Sequence, residues 1–220
     1  MSREYILEKQ SNTTRNFQFG SVEIIQVDRM PDNIDVFKIF KTLEDHFPQH
    51  YFAGLEGVKV INLPEFKERN ITAIYKNNWM YLCTDQESPS DLLNDIVHEL
   101  AHHIETTHEE FIYDDHIIAK EFVDKRKMLQ HELRSEGYWT DGYDFSSIEY
   151  SKSLDDFLYN RIGGKMLNMI TSGLFLRPYS AVSLREYFAT GFEAYYSGDK
   201  DSLYKISPQL YNRIDKLNNQ

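Results

Sequence analysis

The 220-residue chain carries 24 basic and 35 acidic residues, a formal net charge of −11, with 41% hydrophobic and 14% aromatic residues. That is ample apolar material for one domain, or one domain built as two lobes, and it excludes a disordered chain. The acidic balance argues against non-specific nucleic-acid binding and against an anionic membrane surface, since both need a positive field.

Cys83 is the single cysteine, so no intrachain disulfide can form and nothing calls for an oxidising compartment. The first ten residues, Met-Ser-Arg-Glu-Tyr-Ile-Leu-Glu-Lys-Gln, hold no apolar core of a secretion signal. No apolar run approaches the ~20 residues a membrane span needs. The expectation is a cytoplasmic protein, or one delivered by another route, with no membrane or nucleic-acid partner.

Residues 1–18 are polar and mixed, a weakly ordered start. From Phe19 the pattern changes. Val22, Ile24, Ile25 and Val27 predict a strand ending at Asp28. Asp32-Asn33 then predicts the cap of a helix with Ile34, Phe37, Ile39, Phe40, Leu43 and Phe47 at helical spacing, stopped before Pro48. Three short strand signals follow: Val58–Ile61, Ile71–Tyr75 and Trp79–Thr84. The last two are joined by Lys76-Asn77-Asn78, and asparagine tolerates the left-handed backbone of a tight hairpin. The outer strand of that hairpin is either an ordinary sheet edge or a rail for an extended peptide.

The next helix opens at Ser88-Pro89-Ser90-Asp91, with Ser88 as cap, and runs to about Thr106. It contains His98-Glu99-Leu-Ala-His102, an H-E-x-x-H pattern. Residues four apart on a helix lie almost one above the other, so His98 and His102 can aim two imidazoles at one ion. Those are two of the three protein ligands of a catalytic zinc, and Glu99 stands where a base can take a proton from its water. Helical phase agrees. Leu92, Leu93, Ile96, Val97, Leu100, Ala101 and Ile104 fall on one half of the wheel, and His98 and His102 on the other with Asp91 and Asp95. His103 sits near the apolar edge and reads as a hydrogen-bonded core histidine.

Glu109–Glu136 predicts one long helix ended by Gly137, with Lys120, Lys125, Arg126 and Lys127 as a solvated face. His108, Asp114, Asp115 and His116 share no phase with His98 and His102 and read as surface residues. A loop rich in Tyr, Asp, Gly and Ser covers 137–152. A helix from Ser153 to about Thr171 follows, with Gly163-Gly164 marking close packing or a kink.

A third zinc ligand has to come from elsewhere, because no H-E-x-x-H-x-x-G-x-x-H is present. Glu186 is the best candidate, set among Leu184, Tyr187, Phe188 and Phe192, where a carboxylate is costly to bury without a cation. Ser183-x-x-Glu186 is also a capping box, which would give Glu186 a purely local role. Glu193, two turns on, is the runner-up.

Leu176-Arg-Pro-Tyr179 followed by Glu186-Tyr-Phe-Ala-Thr-Gly-Phe192 resembles the C-terminal metalloprotease domain of anthrax toxin lethal factor and the related pro-Pro endopeptidases. The resemblance spans roughly 91–212. It implies an α+β, zincin-like, two-lobed metalloprotease: a small N-terminal mixed sheet with helices in a lobe at about 19–107, and a mostly helical lobe at about 108–220. It implies zinc (Zn2+) held by His98, His102 and Glu186, Glu99 as base, and Tyr179 pointing its phenol at the substrate carbonyl. Where that family tends to carry a second acidic residue one turn after the glutamate ligand, this chain has Thr190; Thr190, Asp95 or a backbone carbonyl are the substitutes to consider for orienting a histidine. The expectation is a monomeric zinc endopeptidase acting on a peptide or protein substrate. The alternative is a weakened or inactive protease fold that serves as a binding protein. Toxin, phage and housekeeping roles are all compatible with it.

Overall fold

The computed structural model describes residues 15–219 and divides into two compact units, one up to Thr107 and one from His108 on. The class is α+β.

The first unit is built on a five-stranded mixed sheet in the order β1-β2-β3-β5-β4. Its strands are β1 (Arg15–Phe19), β2 (Val22–Gln26), β3 (Gly57–Val60), β4 (Ala73–Lys76) and β5 (Trp79–Leu82). β1 and β2 form an antiparallel hairpin, β2–β3 and β3–β5 are parallel, and β4 pairs antiparallel with β5 on the outside. β1 starts inside the segment 1–18 that was expected to be weakly ordered, because Phe17 and Phe19 find partners in Phe37 and in Phe40 and Phe52. Residues 1–14 of that segment lie outside the described residues.

The strands' inward positions make the core: Val22, Ile24, Val58, Val60, Met80 and Leu82 are fully buried. Helix α1 (Val36–His46) covers it through Val36, Ile39, Phe40 and Leu43. Its cap is Asp35, which accepts from the Lys38 amide, rather than the expected Asp32-Asn33. Phe37 stays 52% exposed. Helix α2 (Pro64–Arg69) ends at Asn70 in the left-handed region. The β4–β5 turn is as the asparagines require, with Asn77 at φ 53° and Asn78 at φ 60°. Helix α3 (Pro89–Thr107) then packs on β4, β5 and the short 3-10 turn Gln49–Phe52.

The second unit is helical. The expected single helix from Glu109 is two, α4 (Glu109–Tyr113) and α5 (Ile117–Ser135), broken where His116 turns left-handed at φ 56°. Asp115 accepts from the Ile117 amide and so restarts the chain as a helix. Lys125 and Arg126 are not on a solvated face: they are 8% and 0% exposed. Lys125 donates to the Leu174 and Ile206 carbonyls, and Arg126 to the Asp144 and Ser147 carbonyls. Backbone oxygens of loops and helix ends thus accept from both, which sequence spacing does not reveal. Burial lowers the Arg126 pKa to about 10, still leaving it charged at neutral pH. Arg126 is the anchor of the 137–152 loop.

Helix α6 (Lys152–Asp156) is capped by Ser151 and runs into a π-helical turn, Phe157–Ile162. Gly163 then breaks it at φ 82° before α7 (Gly164–Thr171). Nothing lies within 4 Å of a Cβ built at either glycine, so the pair makes a kink and not a close contact. Helices α8 (Leu184–Ser197), α9 (Lys200–Ile206) and α10 (Pro208–Asn218) complete the unit. Glu121 ties α5 to α10, accepting from the Gln209 and Leu210 amides at the start of that helix and from the Tyr187 hydroxyl.

Candidate metal centre

In the first unit the site rests on α3. Ser88 accepts from the Asp91 amide at 3.2 Å and donates to its carboxylate at 2.7 Å, so the helix begins where the sequence signal puts it. Leu92, Ile96, Leu100, Ala101 and Ile104 are fully buried, and this fixes the helix's rotation about its axis. The opposite face carries His98 and His102 on successive turns, ring centroids 4.9 Å apart and planes at 89°. His102 is 7% exposed and His98 half-buried.

Glu99 is buried, and its Oε2 accepts the backbone N–H of Tyr75 at 2.6 Å. Tyr75 lies on β4, at the edge of the sheet. The amide fixes the orientation of the carboxylate. One outward amide of the suggested peptide rail is therefore occupied by Glu99. His103 is a core histidine as expected, fully buried between the Tyr75 hydroxyl at 3.1 Å and the Ala53 carbonyl at 3.0 Å. Asp95, one substitute considered for orienting a histidine, accepts from Gln86 at 2.9 Å. A carboxylate the sequence reading did not consider, Glu105, faces a site histidine: its Oε2 is 3.5 Å from His102 Nδ1. The sequence reading missed it, although its i,i+3 spacing from His102 was a usable signal.

In the second unit, Tyr179 and Glu186 lie close along the chain. Tyr179 sits in a 3-10 turn (Pro178–Ala181), and Glu186 in the first turn of α8. Ser183 caps that helix, accepting from the Glu186 amide at 3.2 Å. Burial, then the charges of Glu186 and Asp155, push the Tyr179 phenol well above its usual range, so it stays a protonated donor. Its ring remains 41% exposed. Glu193 is 3% exposed and bound through both oxygens by Arg177, at 3.0 Å each. This fork occupies the runner-up ligand, and it straps the Arg177–Tyr179 segment to α8. Thr190 is buried on the same helix.

The chain matches no protein-family model, no curated protein and no solved structure. The case for a function therefore rests on the residues themselves.

Proposed function

We propose that the protein is a zinc-dependent endopeptidase with a zincin-like two-lobed fold of the lethal factor and pro-Pro endopeptidase kind, its zinc held by His98, His102 and Glu186. The observation that carries the reading is the α3 face: two imidazoles on successive turns, with the Glu99 carboxylate of the same helix held by a strand amide. The donor set fits the metal. Two neutral imidazoles and one carboxylate are a catalytic zinc complement, whereas calcium or magnesium would call for oxygen ligands throughout.

A zinc ion in such a set supplies Lewis acidity, activating water toward neutral-pH ionisation and polarising a carbonyl. Glu99 accepts the water's proton and later delivers it to the leaving amine, a role its buried, hydrogen-bonded carboxylate suits. Tyr179 donates its phenol hydrogen to the developing oxyanion; its raised pKa keeps that hydrogen in place. Glu193 contributes no ligand in this scheme, being bound to Arg177.

The test is zinc stoichiometry by elemental analysis, paired with cleavage of a randomised peptide library. One zinc per chain and cleavage abolished by a chelator are expected. Stoichiometric zinc without cleavage would instead favour the reading as a binding protein on a protease fold. Absence of zinc binding would end the proposal.

A further inference from the structure

We infer that Glu105 is the positioning residue of His102: it takes the proton on Nδ1 as a hydrogen-bond partner, and so presents Nε2 to the metal. This rests on the zinc reading above. The two side chains lie one turn apart on α3, with His102 Nδ1 and Glu105 Oε2 3.5 Å apart and side chains 9% and 11% exposed.

The position of Glu105 is costly on two counts. A carboxylate this buried is unfavourable unless it faces positive charge or a donor. α3 ends at Thr107, so Glu105 also stands in the last turn, where the helix dipole is negative and disfavours an anion. A cation reached through an imidazole offsets both. A ligating histidine is neutral, with one bare nitrogen and one N–H; because Nδ1 is turned to a carboxylate, the N–H is held there and Nε2 is the bare one. In this role Glu105 would act through His102 and not on the metal or the substrate itself.

The experiment measures zinc dissociation constants by chelator competition for the wild type, Glu105→Gln, Glu105→Asp and His102→Ala. The visible absorption spectrum of each cobalt(II)-loaded form and the melting temperature of each metal-free form are recorded beside them. Glu105→Gln should weaken zinc about 10–100-fold and alter the cobalt spectrum, with metal-free stability equal to or above that of the wild type. Glu105→Asp, which keeps the charge but shortens its reach, should fall between. If His102→Ala loses zinc while both Glu105 variants bind within twofold of wild type with unchanged cobalt spectra, this inference is overturned and the zinc reading stands. If wild type and His102→Ala bind zinc equally weakly, the zinc reading itself fails and takes the inference with it. Should Glu105→Gln not fold, Glu105→Asp decides by the same criteria.

Discussion

Replacing Glu99 by glutamine is the sharpest perturbation of the proposed chemistry, because the structure lets its two consequences be separated. Glutamine has the same length, and its amide oxygen can still accept the Tyr75 N–H that Glu99 Oε2 now accepts at 2.6 Å. A hydrogen bond to a charged group contributes about 1.5–3 kcal/mol and a neutral one about 0.5–1.5 kcal/mol, so the bond itself weakens by about 1 kcal/mol. Removing a buried charge offsets part of that. At about 2–4 °C per kcal/mol for a chain of this size, the melting temperature should move by no more than about 4 °C. The base, by contrast, is lost outright. A positioned general base is worth about 10²–10⁴ in rate, roughly 3–5 kcal/mol of barrier, several times the stability change. Steady-state kinetics on a cleavable library peptide should show kcat/KM down by at least about 10² with zinc content unchanged. Turnover within about tenfold of wild type would refute Glu99 as the base. Loss of zinc with a large fall in melting temperature would show instead that the carboxylate is structural.

Other expectations follow from single contacts. Glu186→Ala should lose zinc on dialysis, whereas Glu193→Gln should retain it, since Glu193 is bound by Arg177; equal retention by both would move the third ligand elsewhere. Tyr179→Phe should lower kcat about 10²–10³-fold with little change in KM, and a change confined to KM would make Tyr179 a substrate contact only. Gly191→Ala should destabilise by about 1–3 kcal/mol in thermal or denaturant melts, because a Cβ there would collide with the Leu210 side chain. Tyr187 is buried against Glu121, and burial followed by that charge holds its phenol far above the usual tyrosine range. It therefore keeps its proton in the fold and releases it near pH 10 when unfolded, so its contribution is full below about pH 10 and declines as pH rises further. Urea midpoints measured from pH 9 to 11 should fall, and Tyr187→Phe should flatten that fall.

Much of the local structure was legible in the chain. Asn77-Asn78 dictates a left-handed two-residue turn and hence the β4–β5 hairpin. Ser88-Pro89 with Asp91 starts α3, and the apolar half of that helix sets which side its histidines show. These are short-range effects, carried by residues a few positions apart. His103 as a core residue followed from the same helical phase. The errors have two physical sources, one long-range and one local. Lys125 and Arg126 look solvated by charge and spacing, yet they are buried because carbonyl oxygens about 20 to 80 positions away receive their protons. The break at His116 was missed because the Asp115 side chain competes with the backbone for the Ile117 amide.

The sequence by itself determined the donor types: two imidazoles four residues apart, a carboxylate beside the first, and downstream acids from which a third ligand could be drawn. Only the tertiary structure decided how those acids are occupied. It gave Glu193 to Arg177 and the Tyr75 amide to Glu99. The reason is that a helix repeats every 3.6 residues and so fixes which side chains share a face. What each face meets depends on packing between segments far apart in the chain, which no local pattern encodes.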